Sequence, residues 1–346
     1  MSGSEADAHA NRPLQSAQDE EARLTRLIGL LHAARDAIGN VVLGQEQVAE
    51  QMLIGLMGSG HVLLEGPPGV GKTLLVRTLG AVTGLSFSRI QFTPDLMPAD
   101  ISGSMVLMED ADGVARLQFQ HGPVFTQLLL ADEINRATPR TQSALLEAMQ
   151  ERTVSAAGRT MVLPRPFFVL ATQNPFEMEG TYTLPEAQID RFLLQIEVGY
   201  PSEDVLASVL RLTTSETEAV PDQILQPDDV LAIQEFVRAV PVADHVYATV
   251  ANFVVSTQPG SDAAPDEVRR FVRFGISPRG AQSLVIAAKA HALLHGKFNV
   301  GFEDLEAVLL PSTRHRIQFN FDGEASGLSF DRLVGDLFAR SRDKQR

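Results

Sequence analysis

Between the apolar run His61-Val62-Leu63-Leu64-Glu65 and a helical segment from Lys72 to Val82, the chain carries Gly66-Pro67-Pro68-Gly69-Val70-Gly71-Lys72-Thr73. This GxxxxGK[ST] pattern narrows the choice of fold more than any other feature. A buried strand, a glycine-rich turn and a helix start make half of a βαβ unit, and such units build parallel sheets covered on both faces. The glycines let successive backbone N–H groups converge on one anion, and the helix N-terminus adds partial positive charge. Lys72 supplies a point charge for β- and γ-phosphates, and the Thr73 hydroxyl suits Mg²⁺. The pattern predicts nucleotide binding by Gly66, Pro67, Pro68, Gly69, Val70, Gly71, Lys72, Thr73 and Leu74.

The rest of the first 200 residues agrees with a parallel sheet. Helical spacing covers 24–38 and 45–58, and strand-like runs recur at 86–92, 128–131 and 167–172, with helices between them. Two interruptions read as β-hairpins. Met105–Leu107 and Val114–Phe119 flank Asp110-Ala111-Asp112-Gly113, and Thr153–Ser155 and Thr160–Leu163 flank Ala157-Gly158. After Tyr200-Pro201 the strand signals stop, and 203–213, 228–239, 244–256, 266–274, 278–294 and 303–318 read as helices. The expected organisation is a flexible tail over 1–20, an α/β core over 21–200 with two hairpin insertions, and a smaller all-α domain over 201–346.

Two acids end one of the apolar strands, Leu128-Leu129-Leu130-Ala131-Asp132-Glu133. Beside the phosphate loop, Asp132 would hold Mg²⁺ through its water shell and Glu133 would polarise an attacking water. A second acid at this point favours hydrolysis over small-molecule phosphorylation. A further buried strand, Phe168 to Thr172, leads to Gln173-Asn174-Pro175, where Asn174 either orients the lytic water or forms the turn before proline. Ser277-Pro278-Arg279 gives a helix N-cap, a proline at the first helical position and then an arginine. A cation there opposes the helix dipole, so Arg279 either meets an anion such as the γ-phosphate or is an ordinary surface arginine.

These elements, in this order and followed by a helical domain, resemble the AAA+ ATPases, and within them the MoxR family. Val42-Leu43-Gly44-Gln45 is similar to the family's adenine-side box, which places Val42 and Gly44 at the nucleotide. Phe92 to Ile101 is similar to the signature after the second strand, and Leu130–Ala137 through Leu145–Met149 to the Walker B block. Glu179–Tyr182 with Leu184–Phe192 resembles the subunit-interface segment. Over the helical domain the resemblance is thinner, resting on Ser277-Pro278-Arg279 and His315-Arg316. It implies ATP and Mg²⁺ as cofactors and a self-assembled ring, usually a hexamer, with ATP at subunit boundaries. It implies that Arg191 is an arginine finger reaching a neighbour's γ-phosphate, with Arg136 as the runner-up; an intramolecular ion pair with Asp190 or Glu186 is the alternative. The hairpins would be insertions that line the ring pore. MoxR-like proteins generally act as chaperone-like remodellers, often with partners carrying von Willebrand factor A domains.

Composition limits the alternatives. Lys+Arg of 29 against Asp+Glu of 43 gives a net charge of −14, which disfavours nucleic acid as a partner. The first hairpin has only Arg116 against Glu109, Asp110 and Asp112, against an AAA+ nucleic-acid motor or helicase loader. An ATP-gated scaffold with slow turnover is disfavoured by the intact Asp132/Glu133 pair. With 0 cysteines, a disulfide scaffold, a thiolate metal site and a cysteine nucleophile are excluded. Met1 to Glu20 lacks the apolar stretch of a secretory signal and no run is long enough for a membrane helix, so a cytoplasmic protein without direct membrane insertion is expected.

Overall fold

The computed structural model describes residues 5–109, 115–156, 158–175, 180–214 and 221–344, with side chains described from Asp19. Helix α1 (Glu5–Val41) takes in most of the segment expected as a tail, and the loop after it leads to α2 (Glu46–Met57). Then come β1 (Val62–Glu65), α3 (Lys72–Thr83), β2 (Phe87–Gln91) and the short α4 (Pro98–Ser102). The hairpin strands β3 (Gly103–Glu109) and β4 (Ala115–His121) precede β5 (Leu128–Asp132), a 3₁₀ turn (Ile134–Arg136) and α5 (Pro139–Glu151). The second hairpin, β6 (Thr153–Ala156) and β7 (Arg159–Val162), leads to β8 (Phe168–Gln173), α6 (Glu186–Ile189) and β9 (Leu194–Glu197).

Strands β2, β5, β8, β1 and β9 form one five-stranded sheet in that order, all parallel. Side chains on a strand alternate between faces, and this alternation divides the core in two. Val62, Leu64, Leu128, Leu130, Phe168 and Leu170 pack with α1, α2 and α3. Leu63, Leu129, Ala131, Val169 and Ala171 pack with Leu145, Leu146 and Met149 of α5. The expected parallel sheet between helices is therefore present. Strand β9 was not expected; its Leu-Gln-Ile-Glu pattern buries only alternate residues at the sheet edge, so it lacks the continuous apolar run of the central strands.

The C-terminal part contains α7 (Glu203–Thr213), α8 (Pro227–Ala239), α9 (Asp244–Ser256), α10 (Asp266–Phe271), β10 (Val272–Phe274), α11 (Pro278–Leu294) and α12 (Phe302–Thr313). It closes with β11 (Gln318–Phe319), α13 (Phe321–Ala325) and α14 (Phe330–Asp343). The expectation of an all-helical unit needs correction. Val272–Phe274 pairs antiparallel with Gln318–Phe319, so the helices expected over 266–274 and 303–318 end early to form a small ribbon. Both hairpins form, in registers Gly103↔His121 and Thr153↔Val162. Their expected turn residues 110–113, with Val114 and Ala157, lie outside the described residues.

Candidate active site

The phosphate loop connects β1 to α3 by backbone geometry that only glycine takes without strain. Gly69 and Gly71 have φ of 80° and 87°, and a Cβ at either position would meet open space. Gly71 is the N-cap of α3 and no side chain caps this helix, so its first N–H groups remain available to an anion. Lys72 Nζ donates to the Gly66 carbonyl at 2.8 Å, which folds it over the loop. Gly66 answers a different demand: a Cβ there would sit 2.2 Å from the Val198 carbonyl oxygen.

Strand register brings the acids to this loop. Glu65 pairs with Gln173 across β1–β8, and Gly66 N–H donates to Gln173 O, so Asn174 follows directly beside the loop. Asn174 is buried. β5 lies on the other side of β8 and ends in Asp132, with Glu133 next. Lys72, Thr73, Asp132, Glu133 and Asn174 thus share the carboxyl edge of the sheet, where open α/β sheets bind ligands.

Both acids are held in place. Arg89 of β2 donates to Asp132 Oδ2 through Nη2 at 2.6 Å and Nε at 3.1 Å. Thr172 of β8 donates to Asp132 Oδ1 at 2.6 Å, while its hydroxyl oxygen accepts from the Glu133 N–H at 2.8 Å. Glu133 sits at φ 58°, a left-handed conformation that a non-glycine residue rarely adopts. Its Oε2 accepts from Gln91 Nε2 at 2.7 Å and Arg136 Nη1 at 2.9 Å. Two neighbours thus aim each carboxylate, Arg89 and Thr172 on Asp132 and Gln91 and Arg136 on Glu133, rather than leaving a solvated strand end. Arg89, Gln91, Arg136 and Thr172 were not read from the sequence as parts of this acid-holding set. Gln91 opposite Asp132 in the β2–β5 register is the signal that pairing would have exposed.

Arg191 and Arg279 lie elsewhere. Leu193 N–H, two residues after Arg191, donates to the His61 carbonyl, at the start of β1 rather than its end. From His61 to Gly66 a strand rises about 16 Å, so Arg191 is at the opposite end of the sheet from its own phosphate loop. There its Nη1 donates to the Leu146 carbonyl at 2.7 Å, and its Nε is buried without a hydrogen-bond partner among the described residues. Asp190 pairs with Arg316, not Arg191. Ser277, the N-cap of α11, donates to Asp190 Oδ2 at 2.8 Å, which puts the exposed Arg279 at this same far end. Arg136, by contrast, stays beside Glu133 of its own chain.

Val42 is buried, and Gly44 turns at φ 72° with room for no side chain, because a Cβ would meet Val205 of α7 at 2.6 Å. The 42–45 loop is thus packed under the first helix after the sheet. Among the interface residues expected from the resemblance, Glu179 lies outside the described residues.

Comparison with known proteins fits this geometry. The profile of the ATPase family associated with various cellular activities (AAA) matches residues 61–194, and that of the AAA lid domain matches 266–334. The chain is 44% identical to Chaperone MoxR1 of Mycobacterium tuberculosis over 293 residues, 84% of this chain and 76% of that one. The chain belongs to the MoxR family of AAA+ ATPases. The MoxR protein of Paracoccus denitrificans is 34% identical, covering 82% of this chain and 87% of its own. A crystal structure from Cytophaga hutchinsonii superposes with TM-score 0.86 at 36% identity, over 94% of this chain and 98% of the other. The two matches place the ATPase domain before the lid domain along the chain. Among the described residues no helix is long and apolar enough to cross a membrane.

Proposed function

We propose that this MoxR-family chain binds and hydrolyses ATP as a ring, in the cytoplasm, and uses the cycle to remodel or mature partner proteins. The observation that carries this reading is the division of the catalytic set between two ends of the sheet. The phosphate loop, Asp132, Glu133 and Asn174 occupy one end, and Arg191 and Arg279 the other. A single subunit cannot bring Arg191 to its own phosphates across about five residues of strand. Head-to-tail neighbours can, and a heterologous contact of that kind closes into rings such as the hexamer the family resemblance implies.

The residues present fit nucleotide and Mg²⁺. The open, uncapped start of α3 suits phosphate oxygens, and a hydroxyl with a carboxylate, Thr73 and Asp132, is a hard-oxygen donor set. The ion, when bound, neutralises charge on the phosphates. Lys72 would leave the Gly66 carbonyl for the phosphates. Glu133, released by Gln91 and Arg136, would accept a proton from the attacking water, with Asn174 orienting it.

Exposed Met105, Leu107, Met108 and Leu117 on β3–β4 give this hairpin an apolar surface suited to an unfolded or partly folded protein client. That surface favours a protein over a nucleic acid. A von Willebrand factor A domain protein is the partner class proposed from the family resemblance. The test is phosphate release from ATP by the wild-type chain, with and without DNA and with such a partner. Turnover that is stimulated by the protein partner and indifferent to DNA supports this reading; absence of hydrolysis under all three conditions favours an ATP-gated scaffold.

A further inference from the structure

Helix α11 carries His291 and His295 one turn apart at its C-terminal end, and α2 presents Glu50 to them. The two imidazoles stack with centroids 4.1 Å apart. Hydrogen bonds fix both tautomers. His291 Nδ1 lies 2.8 Å from Asp304 Oδ1 and His295 Nδ1 lies 3.0 Å from the His291 carbonyl oxygen. A carboxylate and a carbonyl only accept, so each Nδ1 carries the hydrogen and, in the neutral ring, each Nε2 presents a lone pair. Those lone pairs face Glu50 Oε1, at 3.9 Å from His291 Nε2 and 3.7 Å from His295 Nε2.

Three electron-rich atoms therefore converge within 4.8 Å of one another, at separations too long for hydrogen bonds. An ion about 2.0–2.1 Å from each ligand atom fits between them with a small side-chain adjustment. The outer partners fit as well. Asp304, with 0% side-chain exposure, also accepts from the Gly301 N–H at 2.8 Å and Lys297 at 3.1 Å, so its place against His291 is rigid. A carboxylate behind a ligating histidine orients the ring and raises its basicity. Arg35 lies 3.9 Å from the other Glu50 oxygen, Oε2, which leaves Oε1 to the histidines. The end of α11 contributes the negative pole of the helix dipole, which favours a cation.

We propose that Glu50, His291 and His295 form a binding site for a divalent transition-metal ion of the zinc class, with a solvent-accessible fourth position beside the partly exposed His295. Two imidazoles and a carboxylate match that class better than the all-oxygen sets of Mg²⁺ or Ca²⁺. The ion would staple α11 to α2, fixing the lid against the α/β core.

The test uses the full-length protein stripped of metal with chelator. Zn²⁺ is titrated by calorimetry, and Co²⁺ by visible absorption. The wild type is expected to bind one equivalent of Zn²⁺ in this site, to raise its thermal midpoint on binding, and to give the intense bands of four-coordinate Co²⁺. His295→Ala, at an exposed helix end, is expected to fold, to lose those bands and to bind at least tenfold more weakly; Glu50→Gln is expected to weaken binding similarly. Wild-type protein that binds no Zn²⁺ overturns the site. So does binding of unchanged affinity in both variants, which would place the ion elsewhere.

Discussion

Arg316 Nε donates to Asp190 Oδ1 at 2.7 Å, joining residues 126 apart in the sequence. The same guanidinium donates to the carbonyls of Phe192 at 2.6 Å and Leu193 at 3.2 Å, and to the Ser283 hydroxyl at 3.0 Å. Asp190 uses its second oxygen to accept from Ser277, the cap of α11. One buried arginine thus ties the segment bearing Arg191 to the helix bearing Arg279. Truncating one partner of a buried pair leaves the other charge uncompensated. Arg316→Ala is expected to lose about 3–5 kcal/mol of stability by urea unfolding. Asp190→Asn keeps the shape and is expected to bind ATP normally while turning it over more slowly, because Arg191 loses its mooring. Wild-type turnover in Asp190→Asn would show that the tie does not position the arginine.

At the phosphate edge, Glu133 and Lys72 separate chemistry from binding. Glu133→Gln is expected to retain ATP and lose turnover, since the amide keeps the contacts to Gln91 and Arg136 but not the basic carboxylate. Lys72→Ala is expected to weaken ATP binding itself, because the phosphates lose a charge-assisted contact. Equilibrium binding of a fluorescent ATP analogue beside phosphate release distinguishes the two. Parental turnover in Glu133→Gln would displace that residue from its role.

Gly66→Ala should damage the loop by sterics alone. A methyl group 2.2 Å from the Val198 carbonyl cannot be accommodated without moving β9 or the loop. Nucleotide affinity should fall at least tenfold with little change in helix content by circular dichroism. Unchanged affinity would mean that the loop can shift freely.

His61 gives a pH signature. Its Nδ1 accepts from the Val169 N–H at 3.0 Å, so its hydrogen is on Nε2, pointing to the Met149 carbonyl at 3.1 Å. Burial pushes its pKa down to about 4, with Arg152 adding to the effect against the raising bond to Met149. The unfolded chain takes up this proton near pH 6.5 and the folded chain only near 4. The unfolded state therefore binds more protons in that window, and stability falls as pH drops through it, by up to about 1.4 kcal/mol per pH unit from this group. Buried His315, also held well below its usual pKa by burial and then by Arg316, acts in the same direction. Imidazole ¹⁵N spectra should show His61 as the neutral Nε2–H form at pH 5.5. Protonation there would contradict the structure.

The parallel sheet was readable because its central strands are buried on both faces and so appear as unbroken apolar runs, Leu128 to Ala131 and Phe168 to Ala171. Edge strand β9 and the ribbon β10–β11 were not, because half-buried or very short strands leave no such run. Helix α14 places Leu333, Val334, Leu337, Phe338 and Ser341 on one buried face behind its Ser329 cap, a pattern present in the sequence beyond the last helix expected at 318. The phosphate loop and the two acids were legible because their chemistry is local. The grip of Arg89, Gln91 and Thr172 on those acids, and the Arg316–Asp190 tie, depend on strand register and lid placement that no short pattern encodes.

On the proposed ring, each ATP site is expected to borrow Arg191 from a neighbour. Arginines in this role contribute about 10³–10⁵ in rate, so Arg191→Ala should bind ATP yet hydrolyse it poorly. The most direct measurement mixes inactive Arg191→Ala with inactive Glu133→Gln subunits and follows phosphate release against mixing ratio, with mixed rings confirmed by native mass. An Arg191→Ala subunit keeps its own Glu133, and its Glu133→Gln neighbour offers an intact arginine, so activity should reappear and peak at intermediate ratios. Confirmed mixed rings that stay inactive at every ratio would rule out an Arg191 that acts on its neighbour's site.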